Sequence, residues 1–439
     1  MKTVVPSVRL LVALLCVSPV LGVGLRGSPV DVSAAEKVTP VLPVIPARTF
    51  NLADYGAVGD GKTLNTEAFK QAIAAVEQAG GGKLVVPAGV FRTAPFALCS
   101  NLELHLAAGA VIQAPETFAE LGLPDPAAAK TQAELTAQFK VPAPLITGKK
   151  LHDVAITGRG MIDGSGAHWW AWSERAARAQ PGRLSIKRPH LVVISDCDRL
   201  HVTDITLTNS SMFHLVMSDI NELTVERVKV RAPFNAPNTD AIDPGPLVNG
   251  LIRDCDVDTG DDDICVKSGA TNLRIENCTI KHGHGISIGS PTMVGVHNML
   301  VRNCTFDGTD NGIRLKSMRG AGGAVENVRY TQIKMKDVEN AIVLQLDYVD
   351  NNKPDFKGDP TKVPSIRNVL IDHVTIEGSR NAGKIIGLPD SPITNITLQD
   401  IELTAEKDFV IKDAVNPVFT RVTRTIKAGV APPKISVVE

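Results

Sequence analysis

Aromatic residues are scarce: three Trp, three Tyr and twelve Phe make up 4% of 439 residues. Charge of one sign is missing too. Lys and Arg number 46 against 47 Asp and Glu, a formal balance of −1. That leaves no broad basic surface, so nucleic acid is not an expected partner, although a basic site inside a cleft is still allowed. Beyond residue 25 no apolar run is long enough to cross a bilayer. Seven cysteines could frame disulfides, but a chain this long builds a core without them. What is abundant is glycine (36) and proline (28) within a 44% hydrophobic composition, which suits many short strands and turns better than a few large helices.

The first residues have Lys2 and Arg9 around the start of an apolar run over 10–25, and small residues follow in "VSAAE" (32–36). This reads as a secretory leader over 1–35 and a linker over 36–48. The expected product is secreted, to the periplasm or the exterior, with no membrane attachment once the leader is removed. Cys16 lacks the small preceding residue of a lipid-anchored leader.

A repeat governs the rest. "LHVTDITL", "LTVERVKV", "GLIRDCDV", "LRIENCTI", "MLVRNCTF", "VRYTQIKM", "VLIDHVTI" and "ITLQDIEL" each alternate apolar and polar residues, the period of a strand with one buried face. One slot holds Ile205, Val228, Cys255, Cys278, Cys304, Ile333, Val374 and Ile401, at steps of 23, 27, 23, 26, 29, 41 and 27 residues. Steps in the twenties mark a solenoid, and strands with turns make it a parallel β-helix. The fold class is therefore all-β, one domain over 49–439. Cys255, Cys278 and Cys304 are expected to stack as buried thiols. The long step marks a loop insertion over 347–364. The helical pattern over 65–82, with Ala68, Phe69, Ala72, Ile73 and Val76 as its apolar face, is the expected cap on the open N-terminal end, started by Asn65 or Thr66.

"GAVGDGKT" (56–63) matches the phosphate-loop pattern, but Leu64 and a fresh cap separate it from the helix, and no alternating α/β pattern follows. A glycine turn leading to the cap is the better reading.

Residues at matching places in successive coils lie about 4.8 Å apart. Asp240 is followed 21 residues later by Asp261 and Asp262, then by His284, by Arg314 and Lys316, and by Tyr348. Acids, an imidazole, two cations and a phenol thus gather along one ridge. Clustered carboxylates push their pKa values apart, so that one serves as an acid and another as a base, as glycosidic cleavage requires. No cysteine–histidine ligand set accompanies them, so acid–base work suits them better than a transition-metal site, and no cofactor is expected. Arg314 and Lys316 point to an anionic substrate. Asp263, inside the coil by alternation, has no partner that can be named from sequence. The three tryptophans of "GSGAHWWAW" (164–172) are expected to pack rather than bind, and 176–188 reads as a polar loop.

Asn238-Thr239-Asp240, Gly260-Asp261-Asp262, Gly283-His284-Gly285 and Arg314-Leu315-Lys316 resemble, in order and spacing, the four motifs of the polygalacturonase family of glycoside hydrolases. "FNLADYGAVGDGKTLNTEAF" is similar to the N-terminal segment of its bacterial members. The resemblance implies a right-handed solenoid that hydrolyses α-1,4-galacturonosidic links of pectin with inversion. It implies Asp261 as general acid, Asp240 and Asp262 on the attacking water, and His284 tuning the acid. Asn238, Arg314, Lys316 and Tyr348 would bind substrate. Acid and base would stand about 6.5–9.5 Å apart. A monomer acting on an acidic polysaccharide is expected. The alternatives are a pectate-lyase-like elimination, which would use calcium, and a non-catalytic glycan-binding solenoid.

Overall fold

The computed structural model describes residues 30–349 and 358–427, and the backbone of 435–437. The chain is a right-handed parallel β-helix. Among the described residues every strand-to-strand pairing is parallel and joins one coil to the next. A typical coil runs Ile264–Val266, Gly269–Glu276, Thr279–His282. The next, Ile286–Ile288, Gly295–Arg302, Thr305–Asp307, lies on it with Ile264 opposite Ile286, Arg274 opposite Leu300 and Ile280 opposite Phe306.

Alternation sends every second side chain inward, and the coil repeat stacks like on like. Ile242, Ile264, Ile286, Ile313 and Ile342 form one column without solvent exposure. The slot read from sequence, from Ile205 to Ile401, is buried throughout, and Cys255, Cys278 and Cys304 are free thiols within it. Such columns place apolar area against apolar area at roughly 25 cal/mol per Å².

One turn carries a ladder that the strand pattern does not announce. Asn249, Asn272, Asn298, Asn327, Asn368 and Asn395 all have positive φ, between 52° and 60°. Asparagine tolerates this left-handed region better than most residues. Each Nδ2 from Asn272 onward donates to the amide oxygen one coil earlier, at 3.0, 3.3, 3.4, 3.3 and 2.7 Å. Asn249 ends the ladder on Glu222 at 2.8 Å.

The cap is the helix Thr66–Gln78, with its five expected apolar residues buried against the first coil. Asn65 stands at the N-cap position but makes no capping bond. Its amide instead closes the preceding turn, accepting from Val58 N–H at 2.7 Å and donating to the carbonyls of Thr63 and Val58 at 2.7 and 3.1 Å. In that turn Asp60 accepts from the backbone N–H groups of Lys62 and Thr63, at 2.8 and 2.7 Å. The amides a phosphate would need already hold a carboxylate.

Residues 1–29, most of the expected leader, lie outside the described residues, as do 350–357 of the expected insertion. Residues 30–45 follow the outer wall of the solenoid. Val32 and Ala35 are buried against Leu300, Arg274 donates to the Glu36 carbonyl, Val41 N–H donates to Glu222, and Val44 N–H donates to Asp153. The strap thus runs from a late coil back to an early one.

Two excursions, over 115–145 and 164–190, leave the early coils and pack on each other. Leu135, Phe139, Trp169 and Ile186 form their small core, and Trp170 Nε1 donates to the Ser210 carbonyl at 3.0 Å. The tryptophans pack, as expected. The 176–188 stretch is more than a polar loop: it begins within the helix Glu174–Ala179 and ends by delivering Arg188 to the wall of a cleft.

Candidate active site

The cleft, about 600 Å³, lies along the outer face of the short strands that open each coil. Register sets two rows on its floor. One runs Asp243, Cys265, Ser287, Arg314, and the next Lys267, Gly289, Lys316, Gln345. Asp240, Asp261, Asp262 and His284 come from the loops entering these strands. Asp261 and Asp262 both face the cleft because the backbone bends there; the strand begins only at Ile264.

Asp262 is the most heavily bonded carboxylate. Lys316 Nζ lies 2.9 Å away, Ser287 Oγ 2.8 Å, Arg314 Nη1 3.2 Å and Lys267 Nζ 3.6 Å. Burial works against its charge, but Lys316, Lys267 and Arg314 hold it well below the ordinary carboxylate range.

His284 Nδ1 is 3.1 Å from Asp261, and Nε2 is 3.2 Å from Asp310. Burial disfavours an imidazolium here, but carboxylates on both ring nitrogens outweigh it and push its pKa up to about 10. Asp261 in turn sits below the usual value: burial raises it, and the bond from His284 more than offsets that. The pair titrates as a unit holding one proton.

Asp240 differs from both. Its Oδ2 accepts from Lys267 at 2.8 Å, while Oδ1 is buried and has no partner among the described residues. Burial, opposed by Lys267 and reinforced by Asp261 and Asp262, moves its pKa up to about 7. Asp243, 3.8 Å from the same ammonium, has neither oxygen hydrogen-bonded. Burial drives it well above the ordinary value.

Asn238 bridges Asp261 to the wall: its Oδ1 accepts from Arg188 Nη2 at 2.7 Å and its Nδ2 donates to Asp261 at 3.5 Å. The Tyr348 ring lies 5.6 Å from the Arg314 guanidinium and 5.4 Å from the Lys316 ammonium. All eight residues singled out from sequence line one cleft. Asp263 lies beneath it, fully buried. It accepts from Gly285 N–H at 2.8 Å and Thr259 Oγ1 at 3.3 Å, which fixes the turn that presents His284. A side chain at Gly283 would collide with that carboxylate at 2.4 Å.

Sequence reading missed Lys267, Asp243, Asp310 and Arg188. Lys267 had a signal: "ICVKSG" and "IRLKSM" align, placing Lys267 and Lys316 at the same slot of two coils. Arg188, on an excursion without repeat register, had none. Ligand atoms of Asp261, Asp262 and His284 lie within 4.8 Å of one another, close enough to meet one ion. Lys316, Arg314 and Lys267 already occupy the electrostatic place of a divalent cation there, so the cluster is poorly suited to one.

A family model described as Glycosyl hydrolases family 28 matches residues 84–420. The chain belongs to glycosyl hydrolase family 28. A polygalacturonase of Prunus persica is 32% identical to this family 28 enzyme over 368 residues, covering 81% of this chain and 86% of the relative. An endo-polygalacturonase of Pectobacterium carotovorum subsp. carotovorum is 30% identical over 358 residues, 77% and 85% of the two chains. Among solved structures, a hyperthermoactive exopolygalacturonase from Thermotoga maritima superposes with a TM-score of 0.71 at 25% identity, over 88% and 96% of the chains. In this family 28 hydrolase the four motifs meet in one cleft.

Proposed function

We propose that the enzyme hydrolyses α-1,4-galacturonosidic links in polygalacturonate and pectin, with inversion at the anomeric carbon. The observation that carries this reading is a division of labour in one cleft. His284 and Asp261 share a proton, Asp240 keeps a buried oxygen with no partner, and Arg314, Lys316 and Lys267 concentrate positive charge between them.

The proton leaves through Asp261 to the glycosidic oxygen as the bond breaks, and His284 resupplies it. Water is deprotonated at Asp240 Oδ1 and attacks the opposite face of the sugar. Asp262, with its oxygens occupied by cations and Ser287, is a poor proton acceptor; it orients the water and faces the developing positive charge at the anomeric carbon. Arg314 and Lys316 engage the sugar carboxylate, with Tyr348 against the ring and Asn238 beside the acid. The relatives named as polygalacturonases support the substrate. An elimination would need calcium beside a free base, and the cations packed on Asp262 oppose that. The apolar run behind Lys2 supports export to the periplasm or exterior. Burial of Val32 and Ala35 favours a leader ending before them, upstream of residue 35.

The test is purified protein on polygalacturonate with EDTA present. New reducing ends without unsaturated, ultraviolet-absorbing products, and with the inverted anomer in early NMR spectra, are expected. Unsaturated products, or binding without cleavage, would replace this reading with elimination or with a glycan-binding solenoid.

A further inference from the structure

The catalytic cleft has unequal ends. On the side of the early coils, Glu174, Ile186, Lys187 and Arg188 rise from the paired excursions into a wall. On the other side the groove continues past Arg314 and Tyr348, over Asn340, Val343 and Gln345, to Lys384. The floor row explains why. Arg314 pairs with Val343 and Val343 with Lys384, so the two cations point outward from the same register position two coils apart. The valine between them leaves a gap with no charge of its own.

Cations in such a groove are normally tied to polar partners, and those on its floor are. Arg314 and Lys316 hold Asp262, and Lys267 holds Asp240. Two acids of this end are engaged as well: Asp310 faces His284 at 3.2 Å and Glu339 faces Arg380 at 3.3 Å. Lys384 is half-buried in the groove, with no hydrogen bond or ion pair among the described residues. Burial draws its pKa down, which Asp347 only partly opposes. Holding an ammonium half out of water with no partner costs free energy that an arriving carboxylate would return.

We propose that Lys384 binds the carboxylate of a further uronate unit of the substrate, two rings toward the late coils from the one held by Arg314 and Lys316. Two coils separate the two cations by about 9.6 Å along the axis. A 1,4-linked pyranose chain advances by about one coil spacing per ring, so a polyuronate laid along the groove brings a later carboxylate to Lys384. The wall at the opposite end leaves the late coils as the direction in which a long substrate extends. This inference rests on the uronate substrate proposed above.

The experiment compares Lys384→Gln with the parent protein on oligogalacturonates of increasing length. KM is expected to rise about three- to tenfold for oligomers long enough to place a ring over Lys384, with kcat unchanged, while the shortest cleaved oligomer shows no change. Lys384→Arg should restore most of the affinity. Equal KM for parent and Lys384→Gln at every length, or a rise equal at every length, would overturn the proposal. Calorimetric binding of trigalacturonate to Asp261→Asn, with and without Lys384→Gln, reads the same contact without turnover. Hydrolysis failing while Lys384-dependent binding persists would sink the proposed activity and leave this site standing. Hydrolysis without any dependence on Lys384 would do the reverse.

Discussion

The two outer corners of each coil follow opposite rules. At the asparagine corner, from Asn249 to Asn395, successive coils carry the same residue at the same left-handed φ, each amide bonded to the coil before or after it. At the catalytic corner the side chains change along the rod. Asp240, the Asp261–Asp263 run, His284 and Asp310 succeed one another, and their partners cross between coils. A solenoid gains stability from sameness, because each coil sees only its neighbours. Chemistry needs different groups within bonding distance, and successive coils supply them when a shared position stops repeating.

The contrast is sharpest if activity and stability separate when each corner is broken. Asp261→Asn, which removes the transferable proton while keeping size, should lower kcat by about 10²–10⁴-fold in a reducing-end assay. Its melting temperature should stay near that of the parent. Activity retained in this variant would end the claim that the irregular corner is the reactive one.

Lys267→Met comes next. Without the ammonium, the pKa of Asp240 rises further, so the ionised base appears only at higher pH. The acidic limb of the kcat/KM profile is then expected to move upward, with activity below that limb reduced about tenfold or more. Lys267→Arg should return the limb part of the way. An unmoved limb would mean that Lys267 only fills space. His284→Asn tests the other limb. Asp261 would then hold its proton unaided, so the alkaline limb should fall from its parent position, set by the pair near 10, toward the carboxylate range.

Smaller effects belong to the supports. Asp263→Ala leaves the Gly285 N–H unpaired and should cost about 1–3 kcal/mol in denaturant unfolding. Burial holds the Asp263 carboxyl well above its unfolded pKa, so its contribution is fully present below the unfolded value and is lost as pH rises toward the folded one. Asp263→Asn, which keeps an acceptor for Gly285, should therefore flatten the decline of stability with rising pH. Smallest of all, Asn298→Ala removes two ladder bonds at a left-handed position. It is expected to cost about 1–2 kcal/mol with kcat/KM unchanged. Loss of activity in that variant would blur the division between the corners.

What could be read beforehand follows the same division. Strand alternation and coil spacing exposed the columns through Cys255, Cys278 and Cys304 and seven cleft residues, because both are periodic; Asn238 came from the family's motif alone. Arg188 escaped because it arrives on an excursion whose path depends on the packing of Trp169 against Phe139, which no period encodes. Asp263 could be placed inside the coil, but its partners Thr259 and Gly285 appear only once the bend at 261–263 is known. The asparagine ladder lay in plain view at one residue per coil, yet asparagine is so common in turns that its pairing needed the register to be recognised.

The strap over 30–45 changes how such a rod can come apart. Coils that touch only their neighbours can peel from an end one at a time, like plates lifted from a stack. A segment pinned at Leu300, Arg274, Glu222 and Asp153 lies across that stack as a tie-rod. Lifting any of the coils beneath it first requires releasing a contact made on another, so coils that never meet in the core share one fate when the enzyme is pulled, heated or attacked by a protease.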